Sequence, residues 1–182
     1  MPAALRLTFE THSWSEDNDR GIATGWLPGR LSSRGRALAK ELGARRQGAA
    51  VVFVSDLGRA LETAAVAFEG AGTPILADWR LRECDYGRLN GAPAPAIHAE
   101  RRSYIAEPYP GGESWRGAVE RVGAFLDDLR GPLGRRWAGA PVLIIGHVAT
   151  RWGLDCRLGG RRLEDLVDED FAWREGWDYE LK

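Results

Sequence analysis

Residues 5–10 alternate apolar and polar side chains, the period of a strand with one face buried. Residues 50–54 form a short apolar, β-branched run, as in a strand covered on both faces. Residues 74–77 carry a weaker signal of that kind, and Pro141-Val142-Leu143-Ile144-Ile145 carries the strongest. Between these runs the period becomes helical. Residues 32–46 place Leu38 and Leu42 on one face. Leu57, Ala60, Leu61, Ala64, Ala65 and Phe68 lie on one helical stripe. Ala118, Val122, Phe125, Leu126 and Leu129 form another, which Gly131-Pro132 should end. Residues 148–158 predict a further helix, stopped by Gly159-Gly160, and the aromatic-rich tail 171–181 reads as a late edge strand. Strands alternating with helices predict an α/β fold with a mostly parallel sheet covered on both faces. Residues 87–112 are rich in Gly and Pro, with at most one short helix. A connection of that length is expected to cover or shape a site.

Composition narrows the function classes. The 182 residues suit one domain, and 44% hydrophobic with 28% charged residues is globular rather than disordered. A net charge of −1 provides no broad basic field, so neither nucleic acid nor an anionic membrane is an expected partner. Nothing approaches a membrane span or a secretory leader, and Cys84 and Cys156 form no paired framework. The chain therefore reads as a reduced, cytoplasmic protein. Of 25 basic residues only Lys40 and Lys182 are lysines, leaving 23 arginines, so any anion pocket is expected to be arginine-lined.

In open α/β sheets, ligands bind beyond the carboxyl ends of the strands. Thr11-His12-Ser13 follows the first strand, and Ser55-Asp56-Leu57-Gly58-Arg59 the second. Arg82-Glu83-Cys84 follows the third, and Gly146-His147 the fourth. Two of the three histidines thus sit at strand ends. The chemistry these groups share is phosphoryl transfer. A neutral imidazole attacks phosphorus. Arginine bonds the equatorial oxygens in bidentate fashion. A second, protonated histidine adds positive charge, and a glutamic acid protonates the leaving oxygen. No metal or other cofactor is needed. The chain lacks a GxxxxGK[ST] loop, a GxSxG elbow, and an arginine six residues after Cys84.

In order and spacing these residues resemble the histidine phosphatase superfamily, the phosphoglycerate-mutase-like or branch-1 family. The resemblance runs through His12 and Asn18, Thr24-Gly25-Trp26, and Leu31-Ser32-Ser33-Arg34-Gly35. It continues in Ser55-Asp56-Leu57-Gly58-Arg59-Ala60-Leu61-Glu62-Thr63-Ala64 and in Leu81-Arg82-Glu83-Cys84-Asp85-Tyr86-Gly87-Arg88-Leu89-Asn90-Gly91. Pro110-Gly111-Gly112-Glu113-Ser114 and Ile145-Gly146-His147 complete it. It implies a single domain over 1–182: a three-layer α/β/α sandwich whose mostly parallel central sheet has an antiparallel edge strand. It also implies that His12 is the phosphorylated nucleophile, that Arg59 and His147 bind the phosphoryl group, and that Glu83 is proton donor and then base. Thr11, Ser13, Asn18, Thr24, Gly25 and Tyr86 are the expected substrate-binding residues, and a small phosphorylated metabolite is the expected partner. Whether the chain forms a homo-oligomer stays open.

Two departures stand out. The family's Arg-His-Gly is Thr11-His12-Ser13 here, a neutral hydroxyl where a guanidinium is expected and a side chain where glycine leaves room. Arg20, Arg30, Arg88 and Arg151 are candidate replacements. The run Arg101-Arg102-Ser103-Tyr104 resembles one that clamps substrate in phosphoglycerate mutases. His98 and the pairs Arg45-Arg46, Arg135-Arg136 and Arg161-Arg162 read as solvated. Trp14 either walls the pocket or packs under it. Three functions fit: a metal-independent phosphomonoesterase, a mutase, and a binding member of the family weakened at position 11.

Overall fold

The structure, a computed structural model, describes residues 4–182. Five strands form the main sheet: β1 (Leu5–Thr11), β3 (Val51–Val54), β4 (Ile75–Ala77), β6 (Pro141–Gly146) and β7 (Trp177–Leu181). Their order is β4-β3-β6-β1-β7. β3 pairs in parallel with β4 and β6, and β6 in parallel with β1, while β7 closes the edge antiparallel to β1. Two two-residue strands, β2 (Ile22–Ala23) and β5 (Ala92–Pro93), pair separately.

Alternation along the inner strands builds the layers. Val51, Phe53, Val142 and Ile144 turn to one face with Leu5, Leu7 and Phe9. There they meet Phe125, Leu126 and Leu129 of α5 (Trp115–Arg130) and Leu154 of α7 (Val148–Arg157). Val52, Val54, Leu143 and Ile145 turn to the other. They meet Leu42 of α2 (Ser33–Arg45) and Ala60 and Ala64 of α3 (Gly58–Ala67), with Phe68 at its end. The buried strand run and the helical stripes thus form a three-layer sandwich. Ser32 and Ser114 cap α2 and α5 by accepting from the amides of Gly35 and Gly117.

Short helices complete the chain: α1 (Glu16–Arg20), α4 (Ala94–Glu100), α6 (Pro132–Arg135) and α8 (Leu163–Leu166). The segment 87–112 is more ordered than its composition predicts. It holds β5, α4 and two 3₁₀ turns, Gly87–Leu89 and Arg101–Tyr104. Ile97, Tyr109 and Tyr86 pack it onto Trp115 of α5 and Trp152 of α7. The tail becomes a strand only at Trp177, after Gly176 turns the chain with φ of 82°.

Arg45 and Arg46 are not solvated as expected. Phe9 and Glu10 are both buried, because they face opposite layers. Glu10 points towards α2, where both arginines clasp its carboxylate at 2.9–3.2 Å. Arg161 pairs with Glu169, whereas Arg135 and Arg136 are exposed.

Candidate active site

The site stands where the parallel ladders run out. β1 and β6 pair up to Thr11 and Gly146, and the amide of His12 adds one more bond to the Gly146 carbonyl at 2.8 Å. On the other side of β6, the Ser55 amide donates to the Ile145 carbonyl at 3.0 Å. The ladder therefore brings His12, His147 and Ser55 together. A Cβ at Gly146 would collide with the Thr150 hydroxyl, which accepts the His147 amide at 3.0 Å. Glycine at 146 thus lets α7 start directly behind the second histidine.

Arg59, in the first turn of α3, is buried between the two imidazoles. Its Nε donates to His12 Nε2 and its Nη2 to His147 Nδ1, both at 3.3 Å. Nη2 also donates to the Gly25 carbonyl at 3.0 Å, while Nη1 is buried without a partner. Gly25 has φ of 54°, which favours glycine. A buried guanidinium N–H without a partner is costly unless a ligand supplies an acceptor.

These contacts assign the tautomers. Guanidinium only donates and a carbonyl only accepts. His12 Nδ1 lies 2.7 Å from the Ser13 carbonyl, so it carries the proton and leaves a lone pair on Nε2. His147 Nδ1 faces a donor, so its proton sits on Nε2, 2.9 Å from the Ser55 hydroxyl. Burial first, then the charge of Arg59, lowers the pKa of His12 to about 3. The same causes, with His12 and Arg121 added, hold that of His147 well below its ordinary 6.5. Both rings are neutral at pH 7, as a nucleophile requires of His12.

Glu83 is buried between the start of α7 and the loop after β4. Its Oε1 accepts from the amides of Cys84 at 2.9 Å and Ala149 at 3.1 Å. Its carbonyl accepts from Trp26 Nε1 at 2.6 Å and Arg121 Nη2 at 2.8 Å. Arg121 also bonds the Arg80 carbonyl and the Glu113 carboxylate, and Arg82 grips Asp56 in bidentate fashion while lying over Trp26. The loop carrying Glu83 is thereby tied at both ends.

The remaining candidates divide. Tyr86 is buried beside Tyr109 and Trp115, its phenol raised well above its usual pKa by burial and by Glu83. Thr24 donates to Asp17 at 2.8 Å, and Asp17 is among the charges acting on Arg59. Asn18 Oδ1 closes a capping box with Ser15. Thr11 is half-buried at the end of β1. Ser13 turns away: its hydroxyl donates to the Gly35 carbonyl at 2.6 Å and its amide to Thr63 at 2.9 Å. Trp14 is partly exposed, bonds Asp19 and lies under Arg34.

None of the four proposed stand-ins for position 11 bonds either histidine. Arg20 and Arg30 pair with Glu16 in solvent, and Arg88 is exposed. Arg151 is buried against Asp155 and lies over Trp177. Arg101 is different: buried, with its Nε unpartnered, it lies over Trp115 and Trp152. Its neighbour Arg102 points outward to Asp168. Sequence reasoning gave no role to Ser55, Trp26 or Arg121. The signal for Ser55 was its place at the end of the 50–54 run. Among the described residues, no three His, Cys, Asp or Glu side chains form a metal-ligating group, and no helix is long and apolar enough to cross a membrane.

A family model for the histidine phosphatase superfamily (branch 1) matches residues 10–172. The chain belongs to this family. It is 36% identical over 176 residues to a 2,3-bisphosphoglycerate-dependent phosphoglycerate mutase of Methylobacterium sp. (strain 4-46), covering 88% of the chain and 83% of that protein. A protein of the same description from Parvibaculum lavamentivorans is 33% identical over 197 residues, covering 100% and 91%. Among solved structures, Bacillus stearothermophilus YhfR superposes with a TM-score of 0.79 at 25% identity, covering 94% of this chain and 88% of that one. An Escherichia coli putative alpha-ribazole-5'-P phosphatase superposes at 0.75 with 22% identity, covering 90% and 83%, which supports the shared fold. The family model is of histidine phosphatases and the two relatives are mutases, so the chain belongs to a family of phosphoryl-transfer enzymes.

Proposed function

We propose that the protein hydrolyses a small phosphomonoester through a phospho-His12 intermediate. The carrying observation is the tautomer of His12. Its Nδ1–H is held by the Ser13 carbonyl, so the Nε2 lone pair lies beside Arg59, whose Nη1 awaits an acceptor. Nε2 attacks phosphorus as the ester oxygen leaves with the Glu83 proton. Water, deprotonated by Glu83, then attacks the phosphohistidine, releasing phosphate and restoring neutral His12. Arg59 and, once it has taken up a proton, His147 stabilise the equatorial oxygens, so the charge is supplied by side chains. The expected result is phosphate release from small esters that persists in EDTA and is abolished in His12→Ala. An active His12→Ala protein would overturn the assignment.

A mutase is the second reading, favoured by one observation. Arg101 is a buried cation with an unpartnered Nε, suited to a second acidic group on the substrate. Assay with a bisphosphate primer separates the two. A mutase returns the phosphoryl group to the acceptor, whereas a phosphatase releases it.

A further inference from the structure

Resting on that reading of the site, the geometry also points to a role for Ser55. We propose that Ser55 is a positioning residue that fixes His147 with its proton on Nε2. The ring's other nitrogen, Nδ1, accepts from Arg59 Nη2 until a bound anion draws that N–H to itself, and it then takes up a proton.

Three observations carry this. First, Ser55 is fully buried, and its backbone is bonded to β6 at Ile145, two residues before His147. Its hydroxyl accepts the Leu57 amide at 3.3 Å and lies 2.9 Å from His147 Nε2. Second, the alternative tautomer is excluded by charge. A proton on Nδ1 would point at Arg59 Nη2 across 3.3 Å, placing donor against donor. Arg59 and Ser55 thus hold the ring from opposite edges. Third, position 11 is Thr, so Arg59 is the guanidinium bonded to the two imidazoles, and its Nη1 is unpartnered. A tetrahedral dianion placed here meets one fixed cation. Once Arg59 Nη2 turns from His147 Nδ1 to the dianion, the matching second charge is a proton taken from solvent onto Nδ1, converting imidazole to imidazolium with Nε2–H bonded to Ser55 and Nδ1–H to the anion. Without an acceptor at position 55 the buried Nε2–H would be orphaned.

The groups facing His147 are Arg59 from α3, His12 at the end of β1, Arg121 from α5, and Glu83, whose carboxylate bonds the Ala149 amide of α7. Bulk proton counting would not identify which group takes up the proton. Ring-nitrogen NMR does, and three histidines keep the spectrum assignable.

Sulfate is the probe, because it remains a dianion throughout the useful pH range. In the wild-type protein at pH 7 without sulfate, His147 should show a protonated Nε2 and an unprotonated Nδ1. Saturating sulfate should protonate Nδ1. Ser55→Ala should lose the fixed tautomer and bind sulfate roughly tenfold or more weakly, the scale of a hydrogen bond to a charged group. A proton on Nδ1 in the sulfate-free wild type would overturn the proposal, whether or not Ser55→Ala folds. So would an Nδ1 that stays unprotonated under sulfate, or a folded Ser55→Ala with unchanged nitrogen signals and affinity. None of these measurements needs turnover. If no ester is hydrolysed while the nitrogen pattern is as described, the hydrolase reading fails and the role of Ser55 stands.

Discussion

Arg59 bonds both imidazoles with one guanidinium, and Thr11, at the end of β1, adds no second one. Thr11→Arg should therefore tighten sulfate binding. A charge-assisted bond supplies roughly 1.5–3 kcal/mol, or about tenfold to a hundredfold in affinity. Isothermal titration checks this, and unchanged affinity would show that position 11 does not face the anion. The histidines also make a statement about stability. His12 has a folded pKa of about 3 against an ordinary 6.5, so between those values the unfolded chain binds more protons than the folded one. Stability is then full above pH 6.5 and falls on acidification towards 3, with a slope approaching about 1.4 kcal/mol per pH unit for this residue. Chemical denaturation at a series of pH values reads the slope, which His12→Ala should reduce. His12, Arg59, Glu83 and His147 were legible as residues because each follows a strand end in a recognisable run. Their tautomers were not, since these depend on Ser13 backbone and Ser55 hydroxyl atoms. The direction of Ser13 was also hidden, because it is set by the close approach of α2 at Gly35.

At the scale of elements, periodicity located the main strands and the long helices to within a few residues. It missed β2 and β5, because two residues cannot display a period. It also underestimated the order of segment 87–112, whose packing depends on contacts with Trp115 and Trp152 distant in sequence. The tie between β1 and α2 was equally invisible. Glu10 is almost fully buried and held by two arginines at the end of α2. Removing both partners in Arg45→Ala/Arg46→Ala leaves the carboxylate unpaired and should cost about 3–5 kcal/mol of unfolding free energy. Phe125 offers a comparison on the opposite layer, where it meets Phe53 edge-on at 5.4 Å. Phe125→Ala should cost about 3–5 kcal/mol through lost burial and the cavity left behind. Urea denaturation measures both, and near-neutral values would contradict the burial described here.

For the whole molecule, the parallel order of four strands places their carboxyl ends along one rim, and all the groups assigned to chemistry gather there. The antiparallel edge has a separate consequence. β7 returns alongside β1 with Leu5 opposite Leu181 and Phe9 opposite Trp177. The outer ends of these two strands therefore lie side by side at the rim opposite His12. β1 spans roughly 23 Å at the usual rise per residue. An affinity tag, fluorophore or surface tether joined beyond either strand would leave from the far side of the molecule, with the rim carrying His12 and His147 turned to solution. Immobilised protein prepared in that way should present every copy of the pocket to its ligand.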